Sequence, residues 1–67
     1  MDRDHPQYLT EKQVSVQTGI ALSTLRNWRW ERKNIPYLRI GKRSVRYLRS
    51  DVEHFMESHR IETEDSR

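Results

Sequence analysis

The 67 residues include no cysteine, so one small core has to form without a disulfide or a thiolate zinc site to staple it. Residues Met1 to Pro6 carry no apolar signal-peptide stretch. No apolar run approaches the roughly 20 residues of a spanning helix, and a soluble, cytoplasmic protein without membrane association is expected. The net charge of +3 is unevenly spread: residues 26–49 hold nine basic side chains against Glu31 alone, while the flanking segments are net acidic.

A basic block inside a folded segment points to a polyanion partner. A membrane surface fits less well, because Pro36 and Gly41 break the block and prevent one continuous amphipathic helix. The plain alternative is a solvated charged face.

In chain order, residues 1–7 are polar and read as a flexible tail. Thr10 followed by Gln13 has the spacing of a capping box, and Leu9 with Val14 that of a hydrophobic staple. These residues predict a helix of about two turns to Thr18, stopped by Gly19. A second helix follows Ile20-Ala21. Leu25 and Trp28 form its apolar stripe, extended by Leu22 and the stem of Arg32, and Asn34 before Ile35-Pro36 marks its stop. Two β-prone runs, Tyr37 to Ile40 and Ser44 to Leu48, flank the turn Gly41-Lys42-Arg43 and read as a hairpin. Ser50 and Glu53 have capping-box spacing, and Val52, Phe55, Met56 and His59 give a third helix a narrow apolar stripe. Residues 61–67 are acidic, poor in apolar groups and expected to be disordered. One domain over 8–60 is expected, mainly α with a β-hairpin, in the order helix, helix, hairpin, helix. That order is a winged helix-turn-helix.

The turn Thr18-Gly19-Ile20 carries the geometry. A tight crossing of two short helices needs a left-handed residue at the reversal and a small one nearby, here Ser15, with Val14, Ile20, Leu25 and Trp28 closing the wedge. The second helix then offers Ser23, Arg26 and Asn27 to a major groove, with Leu22 and Trp30 as further candidates beside them. Arginine matches guanine bidentately and asparagine matches adenine, which makes Arg26 and Asn27 the base-reading candidates. Thr24 suits either a phosphate contact or a local cap. Lys42, Arg43 and Arg46 tip the hairpin, where cations suit a minor groove and its phosphate walls, or simply protect an edge strand. Arg39 and Arg49 suit phosphates or the acidic third helix. Trp28 reads as core; for Trp30, covering the wing, facing DNA and binding a neighbour all stay open.

Nothing in the pattern supports an enzyme, a metal or a cofactor. His54 and His59 are five apart, a poor ligand spacing on a helix, and no thiolate accompanies them.

The ordered set Leu9-Thr10, Val14, Thr18-Gly19-Ile20, Ser23-Thr24-Leu25-Arg26-Asn27-Trp28, Ile35-Pro36-Tyr37, Arg39-Ile40-Gly41-Lys42-Arg43, Val45-Arg46-Tyr47 and Ser50-Asp51-Val52 resembles the excisionase and AlpA-like group, relatives of MerR-type domains. The resemblance implies a small DNA-binding protein of a mobile element. Such proteins bind and bend double-stranded DNA at attachment sites and steer an integrase, a tyrosine or serine recombinase, towards excision. Head-to-tail self-association on DNA belongs to the same expectation. It places recognition contacts on Ser23, Thr24, Arg26 and Asn27 and wing contacts on Lys42, Arg43 and Arg46. An AlpA-like transcriptional regulator is the alternative, and a protein-interaction adaptor a third. The chain departs from the group's pattern at Ser15 (for alanine), Ala21 (for an N-cap serine) and Asn34 (for glycine).

Overall fold

A computed structural model describes residues 7–63. The tail 1–6 and the last four residues of the expected acidic tail lie outside the described residues. The elements run β1 (Tyr8–Leu9), α1 (Glu11–Thr18), α2 (Leu22–Glu31), β2 (Leu38–Ile40), β3 (Ser44–Leu48) and α3 (Arg49–Ser58).

The Thr10 capping box forms as the spacing predicts. The Thr10 hydroxyl accepts from the Gln13 N–H at 3.1 Å, and the Gln13 side-chain oxygen accepts from the Thr10 N–H at 2.9 Å. Two of the four orphan donors of the helix start are thereby satisfied. At the other end Gly19 takes φ 78 and its N–H returns to the Ser15 carbonyl at 2.8 Å. A Cβ there would meet nothing within 4 Å, so glycine is demanded by the backbone conformation alone.

Side chains then clasp the turn. Ser15 donates its hydroxyl to the Ile20 carbonyl at 2.7 Å. Thr18 donates to the Val14 carbonyl at 2.7 Å and accepts from the Ile20 N–H at 3.1 Å. Ser15 is therefore more than a small residue at a crossing: it fixes the first residue beyond the turn.

Two boundaries differ from the sequence reading. The second helix stops at Glu31, three residues short of Asn34, because Arg32 takes the left-handed cap position at φ 58. Arg32 is exposed and does not extend the apolar stripe. Asn34 is left-handed too, at φ 76, but in the connection that delivers Ile35 to the core. The third helix starts at Arg49 with Leu48 as N-cap, and the capping box read at Ser50 and Glu53 is not formed. Its start is fixed from outside instead: the Arg49 N–H donates to the Gln7 carbonyl at 2.7 Å. The second helix has Ala21 as N-cap with no side-chain bond, as the absent serine implies.

The hairpin forms about the three-residue loop 41–43, with Gly41 at φ 72. The sequence reading missed β1. It pairs antiparallel with β3 through Tyr8↔Leu48 and Leu9↔Tyr47, giving a three-stranded sheet in the order β1-β3-β2. The core gathers Leu9, Val14, Leu25, Ile35, Val45, Tyr47 and Val52, so β1, β3 and all three helices contribute to it. Ile20, Trp28, Tyr37 and Phe55 pack around it, the Trp28 and Phe55 rings 5.5 Å apart. Leu38 and Ile40 share the outer face of the edge strand β2 and stay exposed. The whole is a winged helix-turn-helix. Among the described residues no helix is long and apolar enough to cross a membrane.

Leu25, 1% exposed at the helix crossing, is the residue whose truncation the fold tolerates least. Leu25→Ala is expected to cost about 2–5 kcal/mol, comparable with the whole stability of a domain this small, and urea unfolding would read it. Gly19→Ala should cost about 1–2 kcal/mol through its backbone alone, and a neutral result there would show that the turn does not need its left-handed residue.

Candidate nucleic-acid interface

The helical spacing of α2 sorts its side chains. Leu25 is buried, and Leu22, Thr24, Trp28 and Arg29 are half-buried against the body. Ser23, Arg26 and Asn27 stand exposed on the opposite face. Thr24 thus sits at the margin, its N–H donating to the Ala21 carbonyl at 3.0 Å. Trp30 lies in water, 85% exposed.

In the wing, Lys42 and Arg43 occupy the loop. Arg46 lies across from Leu38 on the outer face of β3, half-buried, its guanidinium donating to the Val45 carbonyl at 2.9 Å. Arg39 pairs in register with Val45 and therefore shares the helix-facing side of the sheet. Among the described residues no carboxylate pairs with Arg32, Arg39, Lys42 or Arg43. Arg49 is different, 3.8 Å from Glu53 one turn along α3.

A polar network ties the exposed helix to the wing. Glu11, in the first turn of α1, binds Arg26 at 2.7 Å through one carboxylate oxygen and Arg29 at 3.0 Å through the other. The same Arg29 nitrogen donates to the Tyr47 hydroxyl oxygen at 3.0 Å. Tyr47 is a core residue of β3, and the Tyr37 hydroxyl closes the set by donating to the Arg29 carbonyl at 3.4 Å. The hydrogen bond from Arg26, helped by Arg29, holds the Glu11 carboxyl below its usual pKa despite partial desolvation. Glu11 in turn raises the pKa of Arg26. For Arg29 burial opposes the charge, but the Tyr47 oxygen and Glu11 outweigh it, and its pKa is raised as well.

These groups border two shallow clefts. One is lined by Glu11, Arg29, Arg43, Val45 and Arg46 and runs from α1 to the wing. The other includes Arg26, Arg29 and Arg39. Arg29 lines both, so Arg26 of the exposed helix and Arg39 of the hairpin share one cleft with this anchored side chain, and Arg43 and Arg46 share the other. Chemically this is a surface for a polyanion, with guanidinium forks that suit phosphate and base edges.

The residues read as site candidates are thus brought together only in part. Arg26, Arg39, Arg43 and Arg46 border the paired clefts, Ser23 and Asn27 line the free face of α2, and Lys42 is at the tip. Arg49 is on α3, engaged with Glu53. The sequence reading missed Glu11, Arg29 and Tyr47. Arg29 follows Leu25 by four, which puts it at the rim of the inward face, and that spacing was the available signal.

A helix-turn-helix domain family profile matches residues 8–60, most of the chain. The chain belongs to that family. The match covers every element from β1 to α3, and membership of a helix-turn-helix family implies DNA binding. No curated protein and no solved structure is significantly similar to this helix-turn-helix chain.

The depressed pKa of Glu11 has a defined signature. Its contribution to stability is complete above about pH 4.5, the ordinary value, and is lost as pH falls through the lower folded value. Wild-type stability should therefore decline in that acid range, and Glu11→Gln should flatten the decline while lowering stability at neutral pH. Identical pH profiles for the two proteins in chemical unfolding would show that the carboxylate does not hold the two arginines in solution.

Proposed function

We propose that this helix-turn-helix protein is an excisionase, a recombination directionality factor. It binds double-stranded DNA at the attachment sites of a mobile element, bends it, and steers an integrase of the tyrosine or serine recombinase type towards excision. The observation that supports this reading best is the pair of clefts meeting at Arg29, which combine Arg26 of the exposed helix with cations of the hairpin, together with the ordered motif set that resembles excisionases. In this reading Arg26 and Asn27 contact base edges in a major groove, with Ser23 and Thr24 at phosphates or bases beside them. Lys42, Arg43 and Arg46 enter the adjacent minor groove or line its phosphates, and Arg39 and Arg49 add phosphate contacts. Copies bind head-to-tail on neighbouring sites, and the protein works in the cytoplasm without a membrane.

Arg26 has a choice of partner. In the free protein its guanidinium is neutralised by Glu11; on DNA a guanine edge competes for the same fork. Exchange of one hydrogen-bonded partner for another limits the net gain, which is why base discrimination falls in the range of a few kcal/mol rather than more.

Arg26→Ala should weaken binding to the specific site by about 1–3 kcal/mol and relax sequence preference there, whereas Lys42→Ala should weaken all duplexes alike. With about five phosphate contacts, log affinity should fall with log salt at a slope of about −4 to −5. Equal losses on specific and random DNA for both variants would overturn this division of labour. Footprinting on the element's ends, with an excision assay containing the integrase, tests the function itself. Several adjacent protected sites and increased excision are expected. One isolated promoter site with no change in integrase products would assign the protein to transcriptional regulation instead.

A further inference from the structure

The exposed face of α2 does not end at Asn27. Ser23, Arg26, Asn27 and Trp30 follow the spacing i, i+3, i+4, i+7, a single helical stripe, and all four are exposed. Trp30, at 85%, offers nearly its whole indole to water at the end of that stripe. It is not alone there. With Arg26, Arg29, Arg32, Tyr37 and Arg39 it lines one open concavity between α2 and β2. Four arginines line this hollow, and among the described residues Glu11 is the one carboxylate that offsets them, through Arg26 and Arg29. Arg32 and Arg39 have no carboxylate partner there.

The geometry points to a backbone-phosphate site in this concavity, with Trp30 lying against the deoxyribose next to the bound phosphate. The site rests on the reading of the protein as a duplex-DNA binder. Like charges crowded into one hollow repel one another, and a bound phosphate relieves that repulsion while matching the planar forks of arginine. The position suits the strand wall rather than the groove floor. Seven residues of helix carry the stripe about 10 Å from Ser23 to Trp30, comparable with the roughly 12 Å width of the major groove. A helix whose first turns meet base edges therefore brings Trp30 to the flanking sugar-phosphate chain. An indole covers a sugar or a base face without regard to sequence, so Trp30 adds affinity and leaves specificity to Arg26 and Asn27. A two-fold contact with a second copy is a poor occupant for this hollow, since it would bring the same cations against these.

Trp30→Ala, Trp30→Phe and Arg39→Ala test the site, with Trp28 remaining as an internal fluorophore and circular dichroism showing that each variant is folded. The wild-type tryptophan emission should be quenched on titration with a duplex. Trp30→Ala should lose that response and bind specific and random duplexes about tenfold more weakly; Trp30→Phe should recover most of the affinity but not the signal. Arg39→Ala should make the salt slope shallower by about one. Wild-type affinity and unchanged quenching in Trp30→Ala would overturn the inference while leaving duplex binding intact. So would tight binding to phosphatidylserine vesicles that depends on Trp30 when duplex binding does not. A wild-type protein that binds no duplex would overturn both this site and the reading beneath it.

Discussion

Arg29 is held between two elements that the chain builds far apart. One nitrogen of its guanidinium reaches Glu11 at the start of α1 and the hydroxyl of Tyr47 near the end of β3, both at 3.0 Å. Because the Tyr47 ring is sealed in the core, its hydroxyl is a fixed point, and Arg29 passes that fixity to α2. The orientation of the helix that carries Arg26 and Asn27 is thereby referred to the strand that carries the wing. A helix-turn-helix reads DNA only when its helix and its supporting contacts hold their relative geometry. In this chain a charged hydrogen-bond relay supplies that constraint, added to a core of seven buried apolar residues among the described ones.

The relay also divides the cations into two populations. Arg26 and Arg29 are restrained by Glu11, while Arg32, Arg39, Lys42 and Arg43 have no carboxylate partner among the described residues. The restrained pair lies on the helix, where orientation decides which base edge is met; the unpartnered ones lie around it, where charge alone steers and holds a phosphate chain. Exposed ion pairs contribute little to stability on their own. Glu11 has more effect as a guide for two side chains than as a source of folding energy.

Legibility in the sequence followed the range of each interaction. The Thr10–Gln13 box, the left-handed Gly19, the hairpin and the inward stripe of Val14 and Leu25 are set by residues within a few positions of one another, and spacing disclosed them. The strand β1 is two residues long and exists because Leu9 and Tyr8 find Tyr47 and Leu48 much later in the chain; no local pattern announces it. The start of α3 was misplaced for the same reason, since the Gln7 carbonyl, and not a Ser50 side chain, engages its first N–H. Arg32 was read as part of a helix because arginine rarely adopts the left-handed conformation that the chain imposes there. The basic block marked the interface as a region, but the Glu11–Arg26 pair spans fifteen positions and only folding reveals it.

The place of β3 in the sheet has a consequence for how the hairpin behaves on binding. It is both the middle strand and a wall of the core, through Val45 and Tyr47. Beyond Val45 and its register partner Arg39 only Ile40, the loop 41–43 and Ser44 project, a stub of under about 10 Å. Such a short spur has few conformations to surrender when it meets a partner, so little entropy is forfeited on docking. The cationic tip is presented like a tooth set in a jaw rather than a bead on a string.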